Sequence, residues 1–281
     1  MRKMLKHDLK AIWPVWRIVA PIVVVLAALA GVVVGIGYSD YEIFDSVYWL
    51  FRITALLIDT YWYLILSAFS MLVTVLIVVR YYKNFFTDEG YLTFTLPVSR
   101  TKLLNSKILM ALIWISATLA VCILAALAYS FAYELTLSSS GYMGDIFEDT
   151  IEDSVESAFS SQDIHILLFV LEVLYLAAAW LVSNLLLLLL CITVGAVIVK
   201  RAKLVLGLGI YYGANAVIVG IFYTGIIVGI ILISSAPEIS EEAVMYMFHA
   251  VFLMGGALFS ALGVGAYLLN KKLINKHLNL P

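Results

Sequence analysis

Apolar residues in this chain run in long stretches separated by short clusters of charge. Ile18–Gly37, Tyr61–Val79 and Ile108–Ala128 contain no charged residue at all. A helix needs about 20 apolar residues to cross roughly 30 Å of hydrocarbon, so each stretch predicts a membrane-spanning helix. Two later segments are longer than one crossing requires. Ile164–Val199 has 36 residues and Leu204–Ala236 has 33, which as helices would be ~54 and ~50 Å long. A fifth span over Leu204–Thr224 would leave Gly225–Ala236 over. With Pro237 and Glu238–Val244 next in the chain, the remainder predicts a shallow re-entrant segment over 225–248, ahead of a sixth span at about His249–Leu269. Backbone that leaves the helix at membrane depth has to be covered by protein. The fold class is therefore all-α and polytopic, a single membrane domain over 1–281 with six transmembrane helices.

The first 17 residues differ in pattern. Leu5, Leu9, Ile12, Trp13 and Trp16 recur at helical spacing, beside Arg2, Lys3, Lys6, Lys10 and Arg17. Tryptophan settles at membrane interfaces. This predicts an amphipathic interfacial helix, kinked or ended near Pro14. Ala28-Leu29-Ala30 resembles a signal-peptide cleavage site, but the apolar run continues past it to Gly37, which favours a retained span.

Composition agrees with the pattern. Of 281 residues, 64% are hydrophobic and 13% charged, where a soluble domain averages about 45–50% and about 25%. The small net charge of −2 hides a segregation. Segments 1–17, 80–107, 200–203 and 270–281 hold 16 of the 17 Lys and Arg residues, Arg52 being the exception. By the positive-inside rule these segments and both termini are cytoplasmic. The opposite loop, 134–163, carries Asp145, Glu148, Asp149, Glu152, Asp153 and Glu156 and no cation. It reads as a solvated extracellular connector, with binding of cations or a basic peptide as the sharper alternative. Cys122 and Cys191 lie inside apolar runs and read as buried thiols, and His7, His165, His249 and His277 are scattered without metal-ligand spacing.

The most informative stretch is Phe85–Lys107, FFTDEGYLTFTLPVSRTKLLNSK, a charged island between two spans. Thr87 is placed to cap a short helix with Asp88 and Glu89 in its first turn, where the helix dipole favours anions. Phe85, Phe86, Tyr91, Leu92, Phe94 and Leu96 are available for one apolar face. Pro97 ends that helix, and Ser99 or Thr101 caps the next. An acidic residue and glycine, then Leu96-Pro97-Val98-Ser99-Arg100 with Lys107 seven residues on, resemble the cytoplasmic loop of permease subunits of type-2 ABC exporters. Gly90-Tyr91 stands where that family has Gly-Thr. The resemblance implies a coupling helix that docks on a separate ATP-hydrolysing subunit through Phe85, Phe86, Asp88, Glu89, Tyr91, Leu92, Phe94 and Arg100. It also implies a second permease subunit, identical or related, with ATP and magnesium held by the ATPase and no cofactor on this chain. An outer re-entrant segment between the last two spans occurs in the same family. Arg100 could equally meet lipid phosphate, and the whole stretch could rest on lipid headgroups. No nucleic-acid partner is expected.

Independent of that resemblance, counting ~20 residues back from Arg80 and from Lys200 places Asp59 and Glu172 outside the hydrocarbon. Ion-coupled carriers usually keep ionisable groups at mid-membrane, and none is required here. Nor is there a GxxxxGK[ST] phosphate loop. A transporter with neither needs an external engine. The alternatives are an ungated or hydrophobic-gated channel or carrier, and an intramembrane enzyme built on Ser183 and His249. Gly31/Gly35, Gly209/Gly213 and Gly225/Gly229 have the spacing that lets spans approach closely. Packing within the chain is the plain reading, and a permease dimer face at Gly31, Gly35, Gly209 and Gly213 the sharper one. Asn184, Asn215, Ser183, Thr193, Tyr211 and Tyr212 are the polar groups expected to hydrogen-bond between spans or to line a path.

Overall fold

The computed structural model describes residues 2–38, 48–87, 90, 98–138, 164–199, 202–235 and 241–276. Six helices occupy them: α1 (Arg2–Tyr38), α2 (Tyr48–Phe86), α3 (Arg100–Ser138), α4 (Ile164–Ile198), α5 (Lys203–Ser235) and α6 (Glu241–Lys276). All six are long and apolar enough to cross a membrane, and no strand occurs among the described residues. The protein is a multi-pass, all-helical membrane protein.

Every helix has 33 to 39 residues, so each exceeds the ~20 needed for a crossing. Two expected boundaries move as a result. The amphipathic stretch over 1–17 does not end at Pro14: α1 continues through Pro14 and Pro21 as one helix. Proline removes a donor but tolerates helix where neighbours support the freed turn. Here Trp13 and Trp16 bracket Pro14, stack on each other at 5.8 Å, and both meet Trp114 of α3. Likewise α5 does not stop at Thr224. It runs through Gly225 and Gly229 to Ser235, and α6 already begins at Glu241, so all of the segment expected to be re-entrant except 236–240 is regular helix. Residues 236–240 lie outside the described set, as do 139–163 of the acidic loop.

Two compact units emerge, residues 1–80 with 109–159 and residues 81–108 with 160–281, so that α2 and α3 each contribute to both.

In the first unit α1 and α3 run parallel. A Cβ on Gly31 would strike the Tyr129 carbonyl oxygen and lie 3.1 Å from Ala132 Cβ, and one on Gly35 would lie 2.6 Å from Thr136 Cβ. The α1 glycines therefore serve contact within the chain. Helix α2 joins through Trp62, which stacks on Tyr129 at 4.5 Å and 5° between planes, and through Asp59, which accepts the Tyr129 hydroxyl at 2.5 Å. Asp8, buried on α1, pairs with Arg80 of α2 at 3.5 Å.

In the second unit α4 packs most extensively on α6 and next on α5. Glu172 meets His249 and Thr193 meets Asn270, the same offset of 77 residues both times. A constant offset requires α4 and α6 to be parallel and in register for the 21 residues between these pairs, ~32 Å of rise. His249, Gly256, Gly263 and Asn270 fall every seventh residue on α6, opposite Glu172, Ala179, Leu186 and Thr193 on α4. A seven-residue repeat holds two helices together along a left-handed crossing. Along the α6 stripe a Cβ on Gly256 would strike the Tyr175 ring, while one on Gly263 would make ordinary contact with the Ser183 backbone at 3.4 Å. Helix α5 runs antiparallel to α4 after a tight turn at Ala202, whose φ is +57°. There Gly195 and Gly207 bring the backbones together, a Cβ on Gly195 being 2.6 Å from Gly207 N.

Candidate functional site

The site is the base of the 88–97 segment, where α2 ends and α3 begins, in the second unit. Tyr81, four residues before Phe85, points into the α4–α6 seam. Its hydroxyl lies 2.9 Å from Thr193 Oγ1, Thr193 donates to Asn270 Oδ1 at 2.9 Å, and Asn270 Nδ2 donates to the Tyr81 oxygen at 3.3 Å. Thr193 Oγ1 is also 2.9 Å from the Leu189 carbonyl and the Tyr81 hydroxyl 3.4 Å from Asn270 Oδ1, so the three side chains form one buried cluster in which each is hydrogen-bonded. All three are at most 1% exposed. In an apolar bundle that completeness matters, because a buried polar group without a partner costs more than a made hydrogen bond contributes.

The α3 side of the base is held as well. The Ser99 carbonyl accepts from Leu103 N at 3.2 Å, which makes Ser99, of the two expected candidates, the first cap of α3. Arg100 Nη1 donates to the carbonyls of Ile274 and Asn275 at 3.2 Å each. These are among the last carbonyls of α6, where a helix leaves acceptors unpaired and its dipole attracts a cation. One turn on, Asn105 Oδ1 accepts the Tyr267 hydroxyl of α6 at 2.9 Å. Both roots of the segment are thus fastened to α6, one also to α4.

Of the expected docking residues, Asp88, Glu89, Tyr91, Leu92 and Phe94 lie outside the described residues. Phe85 is fully buried, its ring 5.1 Å from Tyr81. Its carbonyl oxygen would be 2.9 Å from a Cβ on Gly90. It is an internal packing residue and not an exposed anchor. Phe86 is half-buried. Arg100 is engaged by α6, and Lys107 is buried. The Thr87 hydroxyl donates back to the Lys83 carbonyl at 2.6 Å, while the Thr87 carbonyl accepts from Gly90 N at 2.7 Å. Thr87 therefore closes α2 as much as it opens the turn at Gly90. Gly209 and Gly213, unlike Gly31 and Gly35, have nothing within 4 Å of a built Cβ, and α5 is the least buried helix.

One further feature is not legible in the sequence. His249 Nδ1 donates to Glu172 Oε2 at 2.6 Å, both side chains largely buried, with Phe169 edge-on to the imidazole. Each residue sits eight positions into its helix (Ile164 to Glu172, Glu241 to His249). The spacing of 77 between them carries no signal until the helices are known to be parallel. Ser183 lies eleven residues beyond Glu172, ~16 Å of helical rise, so it is not brought to His249 as a nucleophile–base pair. Among the described residues no three His, Cys, Asp or Glu side chains gather.

Comparison with protein families, with curated proteins and with solved structures gives no match to this chain.

Proposed function

We propose that this chain is the permease half of an ATP-driven exporter in a bacterial plasma membrane, coupled through Phe85–Lys107 to a separate ATP-hydrolysing subunit. The observation that carries the reading is the fastening of both roots of the 88–97 segment to α4 and α6. A segment that receives a push transmits it only if its base does not yield. Here the base is a buried hydrogen-bond cluster on one side and an arginine on a helix end on the other. A push on residues 88–97 then moves the roots of α2 and α3 together with α6. The resemblance of Leu96-Pro97-Val98-Ser99-Arg100 to the exporter loop supplies the partner. Under this reading the contact residues narrow to Asp88, Glu89, Tyr91, Leu92 and Phe94 with Phe86, since Phe85 and Arg100 are occupied within the chain. The bare small-residue face of α5 at Gly209 and Gly213 is the proposed meeting face for a second permease subunit, and the charge pattern puts both termini in the cytosol.

The test is co-purification of the full chain with candidate ATPases. Glu89→Ala with Tyr91→Ala is expected to abolish both the complex and stimulated ATP hydrolysis, with the permease still eluting as a single species. Retention of both by the double variant overturns the docking assignment.

A further inference from the structure

The first unit holds a cleft of about 1110 Å³ between the start of α1 and α3, lined by Leu9, Trp13, Trp16, Ile113, Trp114 and Ala117. It is at or beyond the upper end of the ~300–1,000 Å³ typical of ligand sites. Its lining is mostly apolar and aromatic, and Lys6 and Lys10, four residues apart on α1, line it as well. Neither lysine has a carboxylate partner among the described residues. The nearby acid, Asp8, is buried and taken by Arg80.

We infer that this cleft binds one acidic glycerophospholipid, its acyl chains against Leu9, Trp13, Ile113 and Ala117 and its phosphate at Lys6 and Lys10. An apolar cleft lined also by two cations matches an amphiphile with an anionic head. A zwitterionic lipid would bring its own cation to the lysines, and a free anion would leave the apolar wall uncovered. The site is distinct from the segment at 88–97, and the inference stands whether or not the chain is a permease.

The experiment uses the full chain, purified in a neutral maltoside and stripped of lipid. It is mixed with equal amounts of phosphatidylglycerol and phosphatidylcholine of the same acyl chains, and bound lipid is counted by native mass spectrometry. The wild type is expected to retain one phosphatidylglycerol in preference to phosphatidylcholine by about tenfold or more, since each lysine near an anionic headgroup favours it by about fivefold. Lys6→Gln with Lys10→Gln, both exposed positions, should bring the ratio close to one. Ala117→Phe, which fills the cleft and leaves the charges alone, should lose the retained lipid. Glycerol phosphate at the same concentration should displace nothing. Equal retention of the two lipids by the wild type overturns the inference. So does an unchanged ratio in the glutamine variant, a retained lipid in Ala117→Phe, or displacement by glycerol phosphate, which would make the phosphate alone the ligand.

Discussion

A phenol, a hydroxyl and a carboxamide can share an apolar interior only if they satisfy one another, and Tyr81, Thr193 and Asn270 do so in a ring of contacts that also reaches the Leu189 carbonyl. Tyr81→Phe breaks it and removes one partner from the Asn270 amide and one from Thr193. The expected loss is about 1–2 kcal/mol of stability, read as a lower midpoint of thermal unfolding in detergent. Adding Thr193→Val to that variant should cost less than Thr193→Val alone, because the ring is already broken. Thr193 is legible in the sequence as a polar group in a span. Its partners are not, for Tyr81 and Asn270 stand at the charged ends of their helices, where a polar side chain calls for no explanation. Phe85, buried within the chain, poses a related question. An aromatic residue in an amphipathic stretch announces that it will be covered, but not whether the cover is another subunit or the chain's own α2 turn and Gly90.

Helix pairing here is decided by where glycine permits backbones to touch. GxxxG spacing points to Gly31/Gly35, Gly209/Gly213 and Gly225/Gly229, and only the first pair is in contact. The close α4–α5 approach, Gly195 with Gly207, and the α6 stripe Gly256/Gly263 have no such spacing; the latter follows the seven-residue repeat. Gly195→Ala places a methyl against the Gly207 backbone and should lower stability by about 1–3 kcal/mol. Gly209→Ala meets open space and should be neutral or stabilising by up to about 1 kcal/mol, the helix-propensity gain. The same unfolding measurement on both variants checks the contrast. At the far end of the α4–α6 seam, His249→Leu strands a buried Glu172 and should cost roughly 3–5 kcal/mol. Glu172→Leu together with His249→Leu should recover most of it. A double variant as unstable as the single would show that the two groups do not depend on each other.

For the molecule as a whole, the distribution of cations makes a directional prediction. A reporter active only in the cytosol should work when fused after Pro281 and fail when inserted near Asp145. Signal from the Asp145 insertion would invert the assigned topology. The parallel α1–α3 and α4–α6 pairs agree with the alternation that six successive crossings demand, since helices of the same parity run the same way.

What the amino-acid order determined alone is the number of spans, their approximate centres and the segregation of charge. All three come from the cost of placing polar groups in hydrocarbon, which each segment meets independently of the others. The tertiary structure decided how far each helix continues: through Pro14 in α1, where Trp13 and Trp16 pack on Trp114, and through Gly225 to Ser235 in α5. It also decided which polar residues meet. Glu172 with His249, and Tyr81 with Thr193 and Asn270, are separated by 77 residues or more, and only the register of two packed helices brings them within hydrogen-bonding distance.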